Sequence, residues 1–164
     1  MRCEVHRYTA FGPKPYVLPA RSQRVGQMNK VRILLADDHP QFPELVETLL
    51  GAMFEVVGIV GDGRALVDAG LNLKPDVILT DISMPVVNGI EAVEQLREAG
   101  CASKVIFLTV HSDPDFVRAC LAAGALGYIL KARVTVDLLT AIREVLADHL
   151  FVSRFDAEQN VNDV

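Results

Sequence analysis

The sequence predicts an α/β fold: a doubly wound parallel sheet of five strands with helices on both faces. Three observations carry that expectation. Between residues 31 and 149, short aliphatic runs alternate five times with helical patterns. The connections are short, as expected for parallel strands joined by crossover helices. The strand runs are almost continuously apolar, the pattern of strands covered on both sides.

The elements follow in order. Val31–Ala36 (VRILLA) reads as the first strand, ended by Asp37-Asp38-His39-Pro40. Pro40–Leu50 reads as a helix, with Leu45 and Leu49, and Val46 and Leu50, at i,i+4 spacing. Pro40 and Pro43 fit its first turn, where the backbone N–H groups lack partners anyway. Glu55–Val60 is the second strand, and a helix from Arg64 to Leu73 is stopped by Lys74-Pro75. Asp76–Asp81 (DVILTD) is a buried strand, followed by a helix over Asn88–Ala99 closed by Gly100. Lys104–Thr109 is the fourth strand. Ser112 or Asp113 is expected to cap a helix running from Pro114 to Gly124. Leu126–Leu130 is the fifth strand, and Thr135 is expected to cap a last helix reaching His149, with Leu138, Ile142 and Val145 inward. Repeated with this regularity, the pattern fits a flavodoxin-like strand order 2-1-3-4-5.

Composition narrows the class. The chain has 164 residues, 51% hydrophobic and 23% charged, with no Trp. This suits one domain and excludes a disordered, collagen-like or disulfide-stapled chain. No run of about 18 apolar residues occurs, so neither a transmembrane helix nor a membrane partner is expected. Cys3, Cys101 and Cys120 lack metal-binding spacing and read as reduced thiols of a cytoplasmic protein. The first 30 residues hold six basic residues against one acid, a net +5, leaving −10 on the rest of a chain whose total is −5. An acidic domain does not attract nucleic acid by bulk charge, so a cation or a basic partner is expected. Residues 1–29, with Phe11-Gly-Pro-Lys-Pro-Tyr16, read as a flexible basic extension, with Met28 a natural start. Residues 30–150 read as the domain and 151–164 as a tail. That tail is too short for a helix-turn-helix and carries more acid than base, so this chain is not expected to bind DNA.

Ligand sites of open α/β sheets lie beyond the carboxyl ends of the strands. Here those ends read Asp37-Asp38, Asp81, Thr109 and Lys131. In the order 2-1-3-4-5 the strands bearing them are consecutive neighbours, so three carboxylates, a hydroxyl and an ammonium converge on one edge. Clustered carboxylates repel, and a hard divalent cation such as Mg²⁺ resolves the repulsion. With that ion, one carboxylate can attack phosphorus while Thr109 and Lys131 hold phosphoryl oxygens. Each residue alone has a plainer reading. An Asp-Asp pair caps a turn, a lone Lys is surface charge, Thr109 caps, and Tyr128 is a core aromatic. Their meeting at one edge is what argues for chemistry.

These residues resemble the receiver domain of bacterial two-component response regulators, most closely receivers that precede a LuxR-type helix-turn-helix. The matching stretches are Leu34-Leu-Ala-Asp-Asp-His-Pro40, Asp81-Ile-Ser-Met-Pro-Val-Val-Asn-Gly89, Thr109 and Gly127-Tyr-Ile-Leu-Lys-Ala132. The resemblance implies that Asp81 accepts a phosphoryl group from a sensor histidine kinase or a small acyl phosphate. It implies that Asp37 and Asp38 hold Mg²⁺ or Mn²⁺, Asp38 the more directly, together with Asp81 and the Ser83 carbonyl. Thr109 and Tyr128 match a switch pair, with Lys131 neutralising the phosphoryl group. A second copy of the chain is a further candidate partner, with the surface from Phe116 to Leu146 as the partner face. His39 reads as a loop residue, and His111 as a neighbour of the site that influences water access.

Other functions fit parts of this pattern, among them a non-phosphorylated scaffold that keeps only the shape, which intact Asp38, Asp81 and Lys131 disfavour. A receiver cut from a LuxR-type DNA-binding regulator fits the same motifs. A phosphatase of the haloacid-dehalogenase type also uses an aspartyl phosphate, but needs a second Asp two residues on, where this chain has Ser83.

Overall fold

A computed structural model describes residues 30–154. The basic extension over 1–29, and the tail beyond 154, lie outside the described residues. The order is β1 (Val31–Ala36), α1 (Phe42–Leu50), β2 (Phe54–Val60), α2 (Gly63–Leu73), β3 (Val77–Thr80), α3 (Gly89–Glu98), β4 (Lys104–Thr109), α4 (Pro114–Ala122), β5 (Gly127–Leu130), α5 (Val134–Leu146) and β6 (Phe151–Val152). All strands pair in parallel, in the order β2-β1-β3-β4-β5-β6.

The expected alternation and strand order are present, and the sheet carries one strand more than the five expected. β6 pairs with β5 through Gly127↔Phe151 and Tyr128↔Val152. A two-residue strand has no periodicity to detect, so the sequence boundary at 150 cuts off a piece of the sheet. Side chains fasten this strand. Ser153 donates to Asp137 Oδ2 on α5 at 2.6 Å, and its Oγ accepts from the backbone N–H of Leu130 at 3.2 Å. Arg133 Nε donates to the same Asp137 oxygen at 3.0 Å, so this buried carboxylate is well paired.

Alternate strand residues face opposite layers, as the pleat requires. Ile33, Leu35, Val77, Leu79, Ile106 and Leu108 pack against α1 and α5. Leu34, Ala36, Ile78, Val105, Phe107 and Tyr128 pack against α2, α3 and α4. Leu138, Ile142 and Val145 of α5 are buried as expected, whereas Leu45 is exposed and only Val46 and Leu50 of the α1 stripe are fully covered.

Three helices have side-chain caps where turn residues precede them. Asp62 accepts from Ala65 N at 2.8 Å, Asn88 from Glu91 N at 2.9 Å, and Asp113 from Asp115 N at 2.7 Å. The expectation that Thr135 caps the last helix is corrected. A 3₁₀ turn over Lys131–Arg133 leads straight into α5, and the Val134 N–H is satisfied by the Lys131 carbonyl instead. Among the described residues no helix is long and apolar enough to cross a membrane.

Candidate functional site

The site follows from strand register. Ala36 lies opposite Thr80 in the β1–β3 ladder, so the next residues, Asp37 and Asp81, leave adjacent strands side by side. Both are still anchored by the sheet, Asp37 N donating to Val60 O at 3.0 Å and Asp81 N to Ala36 O at 2.9 Å. Both are buried. On β5, Leu130 pairs with Thr109, which places Lys131 just beyond the same edge. Its side chain reaches back across β4, with Nζ 2.6 Å from Asp37 Oδ2 and 2.8 Å from Asp81 Oδ2. The Phe42 ring, at the start of α1, lies under the ammonium at 4.5 Å from its centroid. Burial works to lower the Lys131 pKa, but hydrogen bonds and charge from Asp37 and Asp81 outweigh it and hold the ammonium above 10.5.

The acceptor loop is built tightly. Asp81 Oδ1 accepts from Ile82 N at 2.6 Å and Ser83 N at 3.3 Å. Gly89 packs directly on the Asp81 backbone, where a Cβ would overlap the Asp81 carbonyl oxygen. Its N–H donates to Ile82 O at 2.8 Å, closing the loop. Between them Val86 holds a left-handed φ of 69°, strained for a β-branched side chain.

The carboxylates of Asp37, Asp38 and Asp81 and the ring of His39 each offer one ligand atom, all within 4.8 Å of one another. Asp37 Oδ2 is buried, with Lys131 Nζ at 2.6 Å as its partner. A hard divalent cation fits this oxygen-rich set and the buried oxygen in it.

A second group of residues surrounds Thr109. The His111 N–H donates to Thr109 Oγ1 at 3.1 Å, and Tyr128 OH donates to the His111 carbonyl at 2.7 Å. Thr109 and Tyr128 are both fully buried. Burial first, then the nearby Cys120 and Asp113, push the Tyr128 hydroxyl up to about 12, against a hydrogen bond from Thr109 that lowers it. The His111 ring stacks on Phe116 at 4.1 Å and contacts Ser83 Oγ through Nε2 at 3.1 Å. Cys120, whose thiol burial pushes up to about 12, is a packing residue rather than a nucleophile.

Residues 33–143 match the response regulator receiver domain family. The chain belongs to that family. The receiver is 40% identical over 119 residues to the transcriptional regulatory protein DegU of Brevibacillus brevis, covering 71% of this chain and 50% of that protein. It is 34% identical over 123 residues to the nitrate/nitrite response regulator protein NarL of Escherichia coli strain K12, covering 74% and 57%. Among solved structures, it superposes on a LuxR-family two-component response regulator from Aurantimonas sp. SI85-9A1 with a TM-score of 0.72 at 29% identity, covering 76% of this chain and 91% of that one. The receiver spans about half the length of the curated relatives it matches.

Of the residues singled out by sequence, Asp37, Asp38, Asp81 and Lys131 meet directly in this receiver. Ser83 joins through its backbone N–H to Asp81, while its hydroxyl faces His111 rather than the acids. Thr109 and Tyr128 meet directly, by the Thr109 hydrogen bond to the Tyr128 hydroxyl, and again through the backbone of His111. Sequence reading missed two participants. His39, assigned to the loop, stands inside the acid cluster, with Nδ1 3.0 Å from Asp37 Oδ1 and 3.1 Å from Asp38 Oδ1. Its position directly after the acid pair was the available signal. Phe42 carried no signal, because its contact with Lys131 spans the fold.

Proposed function

We propose that this receiver accepts a phosphoryl group on Asp81, from the phosphohistidine of a sensor kinase or from a small acyl phosphate. The observation that carries this reading is Lys131 bridging Asp37 and Asp81 at 2.6 and 2.8 Å, which gathers the acids and the cation at one strand edge. In the step, an Asp81 carboxylate oxygen attacks phosphorus. The P–N bond of the donor histidine, or the P–O bond of the acyl phosphate, breaks, and its electron pair leaves with the imidazole or carboxylate. Asp37, Asp38, Asp81 and the Ser83 carbonyl would hold Mg²⁺ or Mn²⁺, which supplies positive charge against the phosphoryl oxygens. Lys131 moves its ammonium from paired carboxylates onto the phosphoryl group, and Thr109 turns its hydroxyl from His111 toward the same group.

Tyr128 and His111 then carry the change outward. Losing the Thr109 acceptor frees the His111 N–H, and the Tyr128 hydroxyl hangs from the same residue's carbonyl. The result biases an existing two-state equilibrium of the face formed by α4, β5 and α5. That face is where a second copy or an output partner would be read. A receiver domain is a signalling module, not an enzyme acting on free substrates. Similarity to longer transcriptional regulators supports a second reading, in which this receiver is the input half of a DNA-binding protein.

Incubating the full chain with Mg²⁺ and acetyl phosphate tests the reading: intact mass is expected to rise by one phosphoryl group and stay unchanged with chelator. Binding of Mg²⁺ to the folded acid cluster is also expected to raise the melting temperature, stabilising by about 2.7 kcal/mol at one hundred times Kd. No thermal shift would remove the cation site.

The His111 ring stands over the acceptor loop between Ser83 and Phe116. His111→Ala opens a water path there, and the phosphorylated protein is expected to lose its label severalfold faster. Equal half-lives would take His111 out of hydrolysis.

A further inference from the structure

We infer that His39 is a further protein ligand of the cation site, beside Asp37, Asp38, Asp81 and the Ser83 carbonyl, which makes this site favour first-row transition ions over Mg²⁺ more strongly than oxygen ligands alone would. The inference rests on the cation reading of the acid cluster and concerns which ion that cluster selects.

The geometry is specific. Bond lengths of about 2.0–2.1 Å in an octahedral site put neighbouring ligand atoms about 3 Å apart and opposite ones about 4 Å apart. His39 Nδ1 lies 3.0 Å from Asp37 Oδ1, 3.1 Å from Asp38 Oδ1 and 3.9 Å from Asp81 Oδ2. Those spacings match two neighbouring positions and one opposite position around a single ion. The turn that sets them is fixed by the backbone, since the His39 N–H donates to Asp37 Oδ1 at 2.9 Å. The ring therefore points its nitrogen at the acids without depending on a distant element. Lys131 Nζ lies 3.5 Å from the same nitrogen and 2.8 Å from Asp81 Oδ2, so the ammonium must withdraw for one ion to take that oxygen and His39 together.

The chemistry follows from the donor. Mg²⁺ prefers oxygen and keeps its waters, whereas imidazole suits Fe²⁺, Ni²⁺, Cu²⁺ and Zn²⁺, with affinity rising from Mn²⁺ to a maximum at Cu²⁺. One imidazole replacing one water therefore widens the gap between these ions and Mg²⁺. The ring is well exposed, with 64% of its side-chain surface open, so its removal leaves the core intact.

The test uses the untagged full chain as wild type, His39→Ala and Asp37→Asn, each titrated with Mg²⁺ and Ni²⁺ and examined by pulsed EPR with Mn²⁺. The Asp37→Asn protein retains Asp38, Asp81 and His39 and reports how much of the binding depends on Asp37. Wild type is expected to show nitrogen modulation on bound Mn²⁺ that His39→Ala loses. The ratio of Ni²⁺ to Mg²⁺ affinity is expected to fall by about tenfold or more in His39→Ala. If wild type binds the ions but shows no nitrogen modulation, and the ratio is the same in His39→Ala, His39 only hydrogen-bonds the acids and the inference fails while the acid site stands. If wild type binds no divalent ion, the acid site and the inference fall together.

Discussion

Asp81→Asn, incubated with acetyl phosphate and Mg²⁺, is expected to gain no phosphoryl mass under conditions that label the wild type. An amide is a poor nucleophile toward phosphorus, and the other carboxylates are committed elsewhere. Asp37 is buried against Lys131, and Asp38 lies at the outer side of the cluster. The replacement keeps the shape of the side chain and an oxygen to accept from Ile82 N and Ser83 N. It loses the ion pair with Lys131, but Asp37 retains that ammonium, so the variant is expected to fold. Labelling of Asp81→Asn at the wild-type rate would show that another group accepts phosphorus.

Lys131→Ala is expected to give the largest change in stability. Its ammonium is the shared partner of two carboxylates whose side chains are 0% and 4% exposed. Removing one member of a buried charge pair costs about 3–5 kcal/mol, because the remaining charges lose their compensation. Without metal, the variant is expected to stay folded and to lose stability on about that scale. Mg²⁺ should then restore more stability to Lys131→Ala than it adds to wild type, since the ion replaces the missing positive charge. Equal Mg²⁺ increments in the two proteins would separate Lys131 from the cation site. The pH dependence has a definite sign. The folded pKa of Lys131 lies above 10.5, so its stabilising effect is complete below that value and fades as pH rises through the higher folded value. The wild type is expected to lose this contribution only in strong alkali, and the variant to show no such loss.

Much of this was legible in the sequence, for identifiable reasons. Almost continuous aliphatic runs and helices with a period near 3.6 name the five βα units. Strand order then dictates that Asp37 and Asp81 emerge side by side, since Ala36 opposite Thr80 fixes what comes next. Lys131 was legible for the same reason, at the end of a strand. What stayed hidden depends on contacts between distant parts or on single dihedral angles. β6 exists because an open strand edge and the Ser153–Asp137 hydrogen bond hold it, not because Phe151-Val152 carries a pattern. Thr135 looked like a cap, but the 3₁₀ turn had already supplied what a cap supplies. His39 was visible but assigned only to a loop, because nothing in sequence spacing says which way a ring turns.

The short sixth strand has a consequence for how this protein behaves when shortened. Leu126 and Tyr128 have their outward carbonyls satisfied by the N–H groups of Phe151 and Ser153, Phe151 N donating to Leu126 O at 2.9 Å and Ser153 N to Tyr128 O at 2.8 Å. Ending the polypeptide at residue 150 would bare those groups as a template for any passing extended segment. The same cut would take the Ser153 hydroxyl away from Asp137. A minimal version trimmed to the helical boundary would lay bare the β5 edge that Phe151–Val152 covers here.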